Sequence, residues 1–192
     1  MIIGAVILVV LAGLVFAGCK TSRSGYESAP YQVVRTDGNF ELRDYPALTV
    51  VETPMAQRGN GADGSFMRLF RFISGGNEAK QKIAMTTPVF MSDSESNTMM
   101  AFVLPTKMKS SEAPKPTDAA VQVRELPAGR FAVLRFKGGR NAKNEVQSLA
   151  RLQEWLAKEN LRCAGSPVYG YFDPPWTPGF LRRNEVMLLI KE

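Results

Sequence analysis

Trp176, Phe180 and Leu181 stand on a loop that Asp173-Pro174-Pro175 opens and Pro178-Gly179 closes, with Arg182-Arg183 directly after. Each proline fixes φ and lacks an N–H, so this stretch cannot continue a helix. Apolar side chains at a loop tip are poorly placed for a core and well placed to rim a ligand pocket. Guanidinium groups beside them suit carboxylates, which they grip two bonds at a time. The implied chemistry is the holding of a largely apolar ligand. The chain contains no histidine, the residue that acid–base catalysis most often recruits and the commonest metal ligand. Asp173 and Glu185 are the only carboxylates near the loop and form no compact pair in sequence, so binding is better supported than catalysis.

A second apolar concentration lies in Gly64–Ser74, where Phe66, Met67, Leu69, Phe70, Phe72 and Ile73 are interrupted only by Arg68 and Arg71. A helix that is apolar nearly all round is buried on two sides or presents one side to a ligand. Leu69, Phe70 and Ile73 have the spacing of an inward stripe. Phe66 and Met67 fall outside that stripe and read, with Trp176, as pocket residues. Met85 and Met91 read as gap-fillers. A later helix over Asn141–Asn160 carries Val146, Leu149, Leu152, Leu156 and Trp155 on one broad face, an ordinary core stripe.

The elements that must position these residues recur along the chain. Glu41-Leu42-Arg43-Asp44-Tyr45-Pro46-Ala47 matches Gln122-Val123-Arg124-Glu125-Leu126-Pro127-Ala128, 81 positions later. Each copy is followed by an alternating strand, a Gly-rich joint, a helix, a Pro-containing strand (Thr87–Phe90, Ser166–Tyr169) and an apolar strand (Met99–Leu104, Val186–Ile190). Strands with one apolar face need a second layer, and the helices supply it. The expected fold is α+β: a duplicated β-β-α-β-β unit forming a curved antiparallel sheet or distorted barrel, flanked by two helices and related by a pseudo-twofold axis. Ser92–Asn97 and Ser110–Thr117 are expected as exposed loops.

Taken together, Gly170–Ile190 (GYFDPPWTPGFLRRNEVMLLI), Lys82–Phe90 (KIAMTTPVF), Tyr31–Ala47 (YQVVRTDGNFELRDYPA) and Pro114–Gly138 resemble the SOUL family of haem-binding proteins. The resemblance implies the same fold and a hydrophobic cleft for haem or another tetrapyrrole, walled by the first helix and the DPP loop. Carried over by position, the cleft residues are Phe66, Met67, Phe70, Tyr171, Trp176 and Phe180. Arg68, Arg71, Arg182 and Arg183 are the cations available to the propionates, since two positions that are basic in relatives are Phe72 and Thr177 here. The axial histidine of some relatives is Asp44 here, so any iron ligand must be Met, Tyr, Cys or Lys, or none. For Arg182-Arg183 a structural role, with Arg183 pairing to a strand carboxylate, stands beside the propionate role. The leading expectation is reversible tetrapyrrole binding for buffering or transfer. The alternatives are a module for another amphipathic molecule, an envelope interaction protein with a vestigial cleft, and a tetrapyrrole-modifying enzyme, the least supported.

The first eighteen residues carry an address. Ile2–Gly18 has no charge and ends in Phe16-Ala17-Gly18-Cys19, similar to the lipobox of bacterial lipoproteins, in which the cysteine is lipidated. The alternative is an uncleaved span, whose ~25 Å helical reach falls short of a ~30 Å hydrocarbon core. The expected organisation is a signal peptide over 1–18, lipid on Cys19, a polar tether over 19–30 and the binding domain over 31–192. The address is the bacterial cell envelope, at the outer membrane facing the periplasm in a Gram-negative cell. Lipidation would leave Cys163 without a disulfide partner, and it reads as a small semi-buried thiol. The net charge of +6 comes with no basic run, which argues against nucleic-acid binding. The oligomeric state is left open.

Overall fold

The computed structural model describes residues 25–56, 63–94 and 97–191. The leader, the lipobox and Cys19 lie outside the described residues. In chain order the strands are β1 (Glu27–Ser28), β2 (Gln32–Asp37), β3 (Phe40–Tyr45), β4 (Leu48–Pro54), β5 (Thr86–Thr87), β6 (Val89–Ser94), β7 (Asn97–Val103), β8 (Gln122–Leu126), β9 (Gly129–Phe136), β10 (Cys163–Tyr171) and β11 (Asn184–Ile190). Helix α1 is Ser65–Ile73 and helix α2 is Ala142–Lys158. Nine strands form one sheet in the order β2-β3-β9-β11-β10-β6-β7-β4-β8, and β1 pairs in parallel with β5. The pairings within the large sheet are antiparallel. The sheet has free edges at β2 and β8, so the fold is an α+β open sheet and not the distorted barrel that stood as an alternative.

Alternation along each strand assigns the two faces. On one face Leu42, Ala132, Leu134 and Val186 pack against Leu152, Trp155 and Leu156 of α2. Val51, Met100 and Phe102 pack against Leu69, Phe72 and Ile73 of α1. Tyr169 of the first cluster sits directly opposite Met91, which packs on the second. Directly paired residues point the same way, so both helices lie on one face, side by side. The other face buries Tyr45, Val50, Phe90, Ala101, Val133 and Met187 in a third core over which, among the described residues, no helix packs. Strands at opposite ends of the sheet contribute to that core, so the sheet curls around it.

The helix ends follow local chemistry. Gly64 at φ 81 precedes α1, and the Asp63 carboxylate accepts from the Ser65 N–H at 3.1 Å and its hydroxyl at 2.7 Å. Asn141 caps α2 by accepting from the Asn144 N–H at 2.9 Å, the role asparagine fills well.

Several expectations are corrected. Ser92–Asn97 is the end of a β6–β7 hairpin, paired as far as Ser94 with Asn97. Val146 is 66% exposed and takes no part in the α2 core stripe. Cys163 is exposed on β10 because its strand position faces solvent at the sheet's end. The described end of the expected tether packs on the domain: Ala29 is buried, and Glu27 accepts from the Thr106 N–H at 2.8 Å.

Candidate functional site

One register row crosses the helix-bearing face. Asn184 pairs with Tyr171, Tyr171 with Val89, Val89 with Phe102, and Phe102 with Val51. Helix α2 covers the β9, β11 and β10 part of this face, and α1 covers β4 and β7. Between them runs β6, whose Val89 and Met91 are only half-buried. The gap between the helices therefore has an apolar floor of Val89, Met91 and Tyr171.

Helix α1 supplies one wall. Ser65, Leu69, Phe72 and Ile73 are buried, the i, i+4, i+7, i+8 stripe of an amphipathic helix. Phe66, Met67 and Phe70 are 37%, 47% and 42% exposed. Phe66 stacks on Phe70 with centroids 6.1 Å apart and meets Phe102 edge-on at 5.2 Å. The opposite flank carries Arg68 and Arg71. Arg68 donates to Thr53 Oγ1 at 3.0 Å and to the Pro54 carbonyl at 2.6 Å, toward the far end of β4. That orientation turns Phe66 and Phe70 toward the gap.

Phe70 is thus a wall residue and not part of the inward stripe; Phe72, 2% exposed, occupies the core position instead. Spacing alone misassigned Phe70 because a nine-residue helix offers two plausible apolar arcs. Phe72 and Thr177 are both buried, so neither position faces a ligand.

At the other end of the floor, the Tyr171 hydroxyl donates to Glu145 Oε1. Arg140 lies 5.5 Å over the Tyr171 ring and 3.6 Å from the Glu145 carboxylate. Burial, and then the hydrogen bond to Glu145, push the Tyr171 phenol well above its usual range. A tyrosinate ligand at this position is disfavoured on that account. The DPP loop crosses the N-terminal end of α2, where Gly138 N–H donates to the Gly179 carbonyl at 3.0 Å. A Cβ at 179 would only touch the Gly138–Gly139 backbone, at 3.4 Å. Trp176 and Phe180, 80% and 70% exposed, stand on this loop. The sheet register brings Tyr171 and the α1 wall to one surface, while Trp176 and Phe180 belong to its α2 end.

Of the four expected propionate arginines, Arg68, Arg182 and Arg183 are otherwise engaged. Arg68 ties α1 to β4, and Arg71 shares its flank. Arg182 donates from Nε to the Thr177 carbonyl at 2.7 Å and from Nη2 to that of Pro175, bracing the loop. Arg183 pairs with Glu185 at 2.6 Å and lies 4.2 Å over the Phe172 ring, the structural alternative. Glu185 follows Asn184 on β11 and so turns to the face opposite Tyr171. Asp44 is held by a bidentate Arg130 at 2.7 and 2.8 Å, which keeps its carboxyl below the usual range. It lies on β3, with β9, β11 and β10 between it and β6. Arg140 and Val89 escaped the sequence reading, which took Met91 as a gap-filler. The alternation of Val89 and Met91 about buried Phe90 was the available signal; Arg140 had none beyond preceding the α2 cap. Among the described residues no group of three or more Asp, Glu or Cys side chains could hold a metal ion.

Comparison with known proteins matches residues 26–189 to the model of the SOUL heme-binding protein family. Heme-binding protein 1 of Xenopus laevis is 24% identical over 159 residues, covering 78% of this chain and 83% of the relative. Among solved structures, the C-terminal domain of EcmrR superposes with a TM-score of 0.60 at 12% identity, covering 84% of this chain and 98% of that one. A hydrolase from Listeria innocua superposes with a TM-score of 0.62 at 10% identity, covering 82% and 94%. At such identities these two share the fold.

Proposed function

The chain belongs to the SOUL heme-binding protein family, and from that premise we propose that it binds haem or a related tetrapyrrole reversibly between α1 and α2, without histidine ligation. The exposed Phe66–Met67–Phe70 flank, turned toward the half-buried Val89 and Met91 of β6, carries this reading. An apolar wall and floor of this kind suit the face of a flat macrocycle. Tyr171 extends the floor, and Trp176 and Phe180 close its end. Arg140 is the cation placed at the floor, and with exposed Arg71 it stands in for the tied Arg68 as the partner of a propionate. Burial of the ring faces would supply the affinity, with a Kd of about 1 μM, suited to buffering or transfer.

This function belongs at the cell envelope, with the domain held by lipid on Cys19; support for that address comes from the N-terminal sequence. A duplicated unit with a pseudo-twofold axis is part of the same reading. Exchanging β3, β4, α1, β6 and β7 for β8, β9, α2, β10 and β11 turns the strand order from β3 to β8 into its own reverse. The exposure of Trp176 and Phe180 favours a second reading, an apolar tip that meets an envelope protein.

The test is a haemin titration of the full-length chain in nonionic detergent, corrected against empty micelles and read by difference absorbance and tryptophan quenching. Iron-free protoporphyrin is run beside it. Saturable one-to-one binding of both, at similar affinity, is expected. Binding of haemin alone would place a Met, Tyr or Cys ligand on the iron. Binding of neither would remove the tetrapyrrole reading and leave the interaction surface.

A further inference from the structure

The flank of α2 that faces away from the gap borders a different site. A cavity of about 480 Å3 opens between the N-terminal half of α2, the end of β9, the β2–β3 turn and the segment Leu181–Arg183. Arg135, Lys137, Arg151, Arg182 and Arg183 line it, and no carboxylate does. We propose that this cavity binds a small organic polyanion, a molecule carrying phosphate or carboxylate groups, independently of the inter-helix gap.

The charge balance around the cavity supports this. Glu41 and Glu185 lie behind its wall, and buried Arg43 bonds both, at 2.6 and 2.7 Å. Arg135 also meets Glu41, and Arg183 meets Glu185 at 2.6 Å. Three guanidiniums thus face two carboxylates. Arg182 bonds only to neutral carbonyls, Thr177 and Pro175, through its side chain. Lys137 and Arg151, both exposed, have no ion-pair partner among the described residues. The surplus is positive, and low-dielectric walls focus such a field on a small anion.

Arg135 contributes through its exposed part. Its Nε is buried without a hydrogen-bond partner, 3.6 Å from Glu185 Oε1 and beyond bonding distance. That nitrogen has no surface of its own to offer, but 40% of the Arg135 side chain is exposed and lines the cavity, where it adds to the positive field. The volume lies within the ~300–1,000 Å3 of ligand pockets. Buried Ser148, with Gln147, offers hydroxyl and amide contacts to an uncharged part of the ligand.

Helical spacing separates this site from the gap. Asn144, Ser148 and Arg151 recur three and four residues apart on the cavity flank of α2. Glu145, which holds Tyr171, and Leu149 follow the opposite flank.

The experiment is calorimetric titration of the full-length chain in nonionic detergent with pyrophosphate and, separately, citrate, at constant ionic strength near ~0.15 M. The comparison variant is Lys137→Gln/Arg151→Gln, which removes two exposed, unpaired cations and leaves the buried cluster alone. Saturable one-to-one binding of either anion, weakened by about tenfold or more in the variant, is expected, since each lost contact is charge-assisted. Pyrophosphate alone would name the phosphate class, citrate alone the carboxylate class. No binding of either, or equal affinity in the variant, overturns the site. Haemin affinity should be the same in both proteins; a parallel loss would make the cavity part of the tetrapyrrole site and overturn its independence. The proposal does not rest on the haem reading and survives failure of the haemin titration.

Discussion

Arg43 on β3 and Glu185 on β11 form a fully buried bidentate pair, with Nη1 donating to Oε2 at 2.7 Å and Nη2 to Oε1 at 3.0 Å. The two strands flank β9, and the pair spans 142 positions of sequence. Arg43 also donates to Glu41 at 2.6 Å and to the Tyr45 hydroxyl at 3.0 Å, and its guanidinium lies 4.1 Å over the Tyr31 ring. Arg43→Ala would leave two buried carboxylates short of their shared partner, at a cost of about 3–5 kcal/mol. Arg43→Lys would recover little of this, because an ammonium cannot satisfy both oxygens of Glu185 and Glu41 together. Urea denaturation of the two variants checks both statements.

Glu185 makes stability depend on pH. Burial works to raise its carboxyl, but the hydrogen bonds and charges of Arg43 and Arg183 hold it below the usual carboxylate range. The unfolded chain therefore binds the proton first as pH falls. The stabilisation is fully present above the unfolded value and is lost as pH drops through the folded one. Denaturation midpoints should be flat above about pH 5 on this account and fall steadily below it. Glu185→Gln should be less stable at neutral pH and show a shallower acid slope; an unchanged slope would assign the acid lability to other groups.

Neighbouring residues of α1 should separate core from wall. Leu69 is completely buried, so Leu69→Ala should cost about 2–5 kcal/mol of stability. Met67 and Trp176 are largely exposed, and the double variant Met67→Ala/Trp176→Ala should unfold at the wild-type midpoint. In the haemin titration the same double variant should bind roughly tenfold or more weakly, from the apolar contact removed. Equal affinity would detach these residues from the site.

Tyr171→Phe tests whether the phenol reaches iron. Burial and Glu145 keep that phenol protonated, so the variant's haemin difference spectrum should match the wild type. The lost hydrogen bond to Glu145 should cost about 1 kcal/mol of stability. A changed spectrum would identify a tyrosinate ligand.

Asp44→His would introduce the histidine that the chain lacks, at the position where the family resemblance implies an axial ligand. Asp44 is four strand spacings from β6, outside the inter-helix gap. Haemin affinity at the α1 wall should therefore not change, and loss of the solvent-screened Arg130 contact should leave the denaturation midpoint nearly where it was. A histidine-ligated spectrum in this variant would place the ligand elsewhere than the α1 wall.

The helices were legible in the residues themselves. Gly64–Ser74 and Asn141–Asn160 bracket α1 and α2 because caps and apolar periods act within a few positions of one another. Strand alternation was legible for the same reason, as was the composition that leaves this family member without a histidine. Tertiary structure alone decided which flank of α1 faces the gap, since Thr53 and Pro54 set it through Arg68. It alone aligned Tyr171, Val89 and Phe102 in one row, turned Arg183 and Glu185 to the other face, and carried Asp44 away from the wall. Local periodicity fixes the direction of a side chain relative to its own element. Which elements become neighbours depends on strand pairings between residues far apart in sequence, and no local pattern records those.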